Sequence, residues 1–471
     1  MTGMLPHPKH DHVAESAFTG FNAHRADGVS VLGRRSLLKA SLAGMAGLSL
    51  PGLLRAQEAQ AAIGRPTNRA KRVILLWMTG GPSHIDTWDP KPEAPREIRG
   101  PFGTIATALP GVRLCEHLPK QAAMLDRMTI IRSVDALKSN HQPNQVMQTG
   151  NREAAPRVNR SGAMYPAIGS LVAKYRGPND PALPPYVTLN VRDKTHVAWG
   201  GYLGKQYDPF DGSKIGNIFQ LPEGLIEQRL YSRQALRSRL DRLRRDLDLS
   251  GSMAALESFE QRAIDIVAGS KAQAAFDVAQ EPEAIRQRYG DHEWCQQTLL
   301  ARRLVEAGVN FVTVVLSKHR SSGTWDTHGD NIPPYGGITN GLGPLLPVFD
   351  HLLTTLVDDL HQRGLIDDVL VLAMGEFGRT PRIGTQGSTD GRNHWPYVMS
   401  MTLAGGGLRH GQIIGASERD GGHIRNRPVT PGDIAATIYR HMEVPLDTTY
   451  LDFRGRPRYI VVDGQPIGEL F

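Results

Sequence analysis

The sequence predicts an α/β protein on a mainly parallel, doubly wound sheet, and three observations carry that expectation. Continuous apolar runs such as Arg72-Val-Ile-Leu-Leu-Trp77 read as strands buried on both faces. Segments of helical periodicity separate these runs, and most runs break into a polar loop holding Gly, His or Asp. In such sheets ligands sit beyond the carboxyl ends of the strands, so the chemistry is expected in those loops. A chain of 471 residues with 40% hydrophobic and 21% charged side chains can bury a sizeable core. Its 54 Lys+Arg and 47 Asp+Glu are intermixed along the chain, which argues against a nucleic-acid partner. Cys115 and Cys295 are too few and too far apart for a zinc ribbon or a CxxC redox site, leaving one disulfide or two buried thiols.

Residues 1–61 read as a targeting segment. Arg34-Arg35 precedes the apolar run Ala40 to Leu54, and Ala59-Gln60-Ala61 supplies a small-x-small cleavage site. That order predicts a twin-arginine signal, the twin-arginine export machinery as a partner, and a periplasmic or exported location. The run is about 15 residues, short of the ~20 needed to span a bilayer, and no later segment is expected to span one.

Residues 62–471 then form one domain. A strand at Arg72 to Met78 is followed by helical periodicity from Glu116 to Met128 and strands at Thr129 to Ser133 and Pro185 to Val191. Leucines at helical spacing, turning at Ser250-Gly251-Ser252, predict a helical hairpin inserted at about 228–280. A helix from Glu293 to Ala307 stops at Gly308 and feeds the run Val309 to Leu316. A further helix, Leu342 to Arg363, leads into Asp368 to Met374. The apolar runs Val398 to Ala404 and Gln412 to Ala416 follow, and Thr430 caps a last helix from Pro431.

The loops after these strands hold the candidate chemistry. Ser83, His84, Asp86 and Asp89 follow the first strand, and His141 follows the second. Asp326 and His328 follow Val309 to Leu316, and Glu376 and Arg379 follow Asp368 to Met374. His394 sits in a further polar loop beside Arg392. Carboxylates and imidazoles converging on one sheet edge suit zinc, manganese or calcium, and one or two such ions could clamp the oxygens of a phosphate or sulfate ester. Arg379 and Arg392 suit bidentate recognition of an oxyanion, or equally a salt bridge. Trp77, Trp88, Trp325 and Trp395 lie in or beside these loops, either to stack on a sugar or to wall off a core.

The run Val73 to Lys91, with Leu300 to Val309, Trp325-Asp-Thr-His328, Met374 to Pro381 and Asn393-His-Trp-Pro396, resembles the bacterial domain-of-unknown-function family numbered 1501. That family is similar in fold to the alkaline phosphatase and sulfatase superfamily. The resemblance implies a sheet of alkaline phosphatase/sulfatase type and metal ligands at Asp86 (with Asp89 as fallback), Asp326, His328, Glu376 and His394. Glu376 and Phe377 stand where the superfamily has Asp and His. The sulfatase nucleophile position at the helix start after the second strand reads His141-Gln142-Pro143-Asn144, without Ser or Cys. His141 is therefore a ligand, a base orienting water, or itself a nucleophile, with Ser83 and Thr79 as alternative nucleophiles. Two functions follow as expectations. One is an exported metal-dependent hydrolase of small-molecule or carbohydrate phosphate or sulfate esters; the other is a non-catalytic envelope binding module.

Overall fold

The computed structural model describes residues 70–141, 143–214, 270–384 and 387–471. The export segment and residues 228–269 of the expected hairpin lie outside them, while the hairpin's last residues include a helix at Ser270–Phe276.

Eight strands form the central sheet: β1 Arg72–Trp77, β2 Met128–Val134, β3 Tyr186–Leu189, β4 Phe210–Asp211, β5 Phe311–Val315, β6 Val369–Met374, β7 Met399–Gly405 and β8 Gln412–Ile414. Their spatial order is β8-β2-β7-β6-β1-β5-β3-β4. Strand β1 pairs in parallel with both β5 and β6, whereas β7 is antiparallel to both its neighbours, β6 and β2. The sheet is thus mainly parallel with one reversed strand.

Period-two alternation divides the apolar runs between two cores. Ile74 and Leu76 of β1, Val312 and Val314 of β5, and Val369 and Val371 of β6 enter one cluster. Val73, Leu75, Trp77, Phe311, Val315, Leu370 and Leu372 enter the other. The first cluster is covered by helices Glu293–Ala307 and Leu345–Gln362, and the second by Ile168–Tyr175 and Pro431–His441. Helices on both faces explain why β1 from Val73 onward and β6 are apolar throughout.

Local signals set several boundaries where the sequence placed them. Gly308, at φ +123°, ends the Glu293–Ala307 helix. Thr430 and Asp433 form a reciprocal capping box ahead of Pro431. The periodicity of Glu116 to Met128 does not become one helix: Pro119–Ala123 is helical, and a 3₁₀ turn at Leu125–Arg127 delivers the chain into β2. Cys115 and Cys295 are free and buried, and burial pushes their thiols up to about 12 and about 11. Trp77, Trp88 and Trp325 are fully buried and belong to the cores; only Trp395 among the four is partly exposed. No helix among the described residues is long and apolar enough to cross a membrane.

Candidate metal centre

Six side chains meet at one edge of the sheet. Strand β5 delivers Asp326 and His328, β6 delivers Glu376 and Phe377, and β2 delivers His141, all from their carboxyl ends. His394 comes before β7, and the reversal of that strand puts its amino end at the same edge. His141, Asp326, His328 and His394 each offer a ligand atom, and those four atoms lie within 4.8 Å of one another.

The carboxylates fix the imidazoles. His141 Nδ1 donates to Glu376 Oε1 at 2.7 Å, and the Gly80 backbone N–H donates to the same oxygen at 2.8 Å. With Nδ1 so committed, His141 turns its Nε2 toward Asp326 Oδ2 at 3.2 Å, but at an angle that makes no hydrogen bond. His328 Nδ1 and its backbone N–H both donate to Asp326 Oδ1, the latter at 3.0 Å, leaving the far ring nitrogen of His328 for other work. His394 Nε2 is buried without a hydrogen-bond partner, as is Glu376 Oε2.

Packing and charge tune these groups. The His141 ring centroid lies 4.2 Å from that of His394, and Phe377 walls off both at 4.7 Å. Burial opposes ionisation of Asp326, but Arg379 and the nearby imidazoles of His141 and His328 outweigh it and hold this carboxyl far below its usual range. Burial, then the charge of Arg379 and the neighbouring imidazoles, pushes His394 down to about 2, so it is neutral with a free lone pair. Burial would lower His141 too, yet its contacts with Asp326 and Glu376 raise it.

The remaining expected residues are present but otherwise engaged. Arg379 is fully buried and donates to the carbonyls of Gly80, Gly81 and Arg392, with Nη2 2.8 Å from Asp326 Oδ1. It steadies Asp326 and has no fork left for an outside anion. Asp86 is not in the cluster: Arg392 grips it at 2.7 and 3.0 Å, and Ser83 Oγ donates to it at 2.5 Å. That spends its lone pairs and removes it as a ligand, and it buries Ser83 away from any nucleophilic role. Asp89 is tied to Lys91, Arg132 and Ser417. The helix after β2 begins at Gln145, so His141 stands in the loop before it and not at its start.

Two residues were missed. Ser322 Oγ donates to Asp326 Oδ2 at 2.7 Å and contacts the hydroxyl of Tyr335, and both are only partly buried. In the sequence Ser322 reads as a turn residue among Ser and Gly.

Residues 70–471 match a family described as "Protein of unknown function (DUF1501)". No curated protein matches the chain. Among solved structures it is similar to the PsFucS1 sulfatase from Pseudoalteromonas sp., with 14% identity over 91% of this chain and 76% of that one and a TM-score of 0.36. It is similar to the phosphonate monoester hydrolase SpPMH from Silicibacter pomeroyi, with 12% identity, 84% and 76% coverage and a TM-score of 0.40. The C-terminal periplasmic domain of EcEptC from Escherichia coli, in complex with Zn, gives 11% identity, 80% and 83% coverage and a TM-score of 0.35.

Proposed function

The chain belongs to the DUF1501 family, and from the site it carries we propose that it is an exported hydrolase of phosphate or sulfate esters working with one divalent metal ion. The observation that carries this reading is the four-residue cluster of His141, Asp326, His328 and His394, in which His394 Nε2 is buried without a hydrogen-bond partner. A buried polar atom without a partner costs about 1–3 kcal/mol. That of His394, neutral and set among two further imidazoles and a carboxylate, is best accounted for by an electrophile that accepts its lone pair.

The donor set fits zinc best. Three imidazoles and one carboxylate are the borderline ligands zinc takes, whereas calcium asks for six to eight oxygens. One ion is the natural count, because Asp326 Oδ1, Glu376 Oε1 and both oxygens of Asp86 are spent on protein donors. His141, His328, His394 and Asp326 would hold the ion, which supplies Lewis-acid polarisation of an ester oxygen.

The chain's own groups do the rest. Glu376 orients His141, and Arg379 keeps Asp326 ionised. Phe377 excludes water from the rear of the cluster. The hydroxyls of Ser322 and Tyr335 form a hydrogen-bonded chain running from Asp326 to the partly buried surface, along which a proton can be delivered. Export rests on the Arg34-Arg35 segment and its cleavage site.

One observation favours the binding-module reading: Ser83 and Arg379, two of three expected catalytic groups, are consumed inside the protein. Elemental analysis of the native protein against a His328→Ala/His394→Ala variant, followed by assays with 4-nitrophenyl phosphate and sulfate, separates the two. Stoichiometric metal lost in the variant, with turnover by the native protein alone, is expected. Metal without turnover supports the binding module, and folded metal-free native protein overturns the metal centre.

A further inference from the structure

A polar cavity lies beyond the carboxyl end of β8, lined by none of the cluster residues. Its volume is about 560 Å³, and Lys91, Arg132, Arg419, Arg425 and Arg427 contribute to its lining with only two carboxylates, Asp89 and Glu418. That volume suits an organic ligand better than a single ion.

The cations are layered. At the floor, Arg132 projects from β2 with its side chain 16% exposed. Its Nε donates to the Trp88 carbonyl and its Nη2 to the Arg113 carbonyl, both at 2.9 Å. Among the described residues its Nη1 has no partner. The carboxylate beside it, Asp89, is 3.0 Å from Lys91 Nζ and 3.5 Å from Arg132, and it also accepts from Ser417. One negative charge there serves two positive ones. Burial lowers the Arg132 pKa, with Asp89 offsetting part of the cost, which marks a cation short of counter-charge.

At the rim, Arg427 is neutralised by a two-pronged bond to Glu469, at 2.6 and 2.7 Å. Arg419 and Arg425 are exposed and make no ion pair among the described residues. Both stand on the hairpin formed by Ala416–Ser417 and Ile424–Asn426 and its turn. A second cavity of about 650 Å³, walled by Pro90, Pro92, Pro95 and Ile98, shares Lys91 and Arg419 with the first. The shared residues join the basic chamber to one with proline and isoleucine walls that also holds Glu93 and Asp420, so the two make one elongated groove whose anion-binding part is the basic chamber.

We propose that this groove binds a polymeric chain bearing sulfate or phosphate groups, with Arg419 and Arg425 as the oxyanion-recognising forks and Arg132 adding its one uncommitted nitrogen, Nη1, at the floor. Planar guanidinium groups with free N–H donors match such oxyanions bidentately. The inference does not rest on the hydrolase reading, since a non-catalytic protein would keep the same groove.

The test is isothermal titration calorimetry on the full-length mature protein, with chelator present so that the metal centre plays no part, at about 150 mM salt. Separate arms use sulfated dextran fragments, polyphosphate of matched charge, and neutral dextran. Binding of either anionic probe but not neutral dextran is expected, and the stronger arm identifies which oxyanion the groove takes. Arg419→Ala/Arg425→Ala should weaken that binding by about tenfold or more per arginine removed. Arg157→Ala/Arg160→Ala, which removes equal charge from another exposed surface, should leave it unchanged. Absence of binding by the native protein, or equal loss in both variants, overturns the proposal.

Discussion

The loops after β1 and β5 each bury an aspartate beside a serine and an arginine, and their fates differ. Asp86 accepts from Ser83 at 2.5 Å and Asp326 from Ser322 at 2.7 Å. Arg392 meets Asp86 with two nitrogens, at 2.7 and 3.0 Å. Arg379 offers Asp326 one, at 2.8 Å, because its other donors go to the Gly80, Gly81 and Arg392 carbonyls. A two-pronged guanidinium saturates a carboxylate; a one-pronged guanidinium leaves an oxygen for other partners. The same three residue types therefore build a structural tie in one loop and a candidate ligand in the other. The two are also connected, since Arg379 donates to the backbone carbonyl of Arg392 at 3.1 Å.

The largest expected effect breaks the comparison on the β5 side. Asp326→Asn should remove bound metal outright, since it deletes the only carboxylate of the cluster while keeping its shape. Elemental analysis checks this, and a variant with full metal content would show that the imidazoles suffice. On the β1 side Asp86→Asn should leave metal content unchanged and cost about 3–5 kcal/mol of stability, because it strands the buried Arg392 guanidinium. Urea denaturation measures that cost. Metal loss without destabilisation would return Asp86 to the ligand set.

A smaller effect sets the two loops apart by pH. Burial pushes His84, two residues before Asp86, down to about 4, against an ordinary value near 6.5. Between those values the unfolded chain binds a proton that the folded chain refuses, so stability rises with pH across this window and falls as acid is added. The slope is about 1.4 kcal/mol per pH unit, or about 3 kcal/mol in all, and it levels off below pH 4. His441, also pushed down by burial to about 4, adds a similar slope. His84→Gln should lower the slope between pH 4 and 6.5 by about 1.4 kcal/mol per pH unit, leaving the share of His441, and an unchanged slope would remove His84 from the account.

What the sequence disclosed and what it withheld divide along the same line. The strands, the Gly308 stop and the Thr430 cap were legible because each depends on neighbours within a few residues. Asp326, His328 and His394 were legible as a group because a parallel sheet gathers its loops at one edge. The reversal of β7 was not, since hydrophobic periodicity is blind to direction, yet that reversal is what seats His394. The fates of Asp86 and Arg379 were hidden for another reason. Asp86 is bound by a residue 306 positions away, and Arg379 by the Gly80 and Gly81 carbonyls almost as distant, so no local pattern records these bonds. Likewise Tyr335 gains meaning only through its contact with Ser322.

Glu376 supplies the finest comparison, since the sequence offered it as a ligand and the structure sets it one bond behind His141. Its Oε1 is shared between Gly80 N–H and His141 Nδ1, whereas Oε2 is buried without a partner. If it only orients His141, Glu376→Gln keeps an oxygen in the same place and loses the charge that makes the imidazole a stronger donor. Metal affinity should then fall about 10- to 100-fold, as for other carboxylates standing behind a ligating histidine. Competition against a chromophoric chelator reads this directly, and stability of the metal-free variant should stay within about 1 kcal/mol of the native protein. A loss as complete as that of Asp326→Asn would mean that Oε2 itself reaches the ion and the centre holds a second carboxylate. An unchanged affinity would confine Glu376 to bracing the Gly80 turn, leaving His141 oriented by Asp326 and the wall of Phe377 alone.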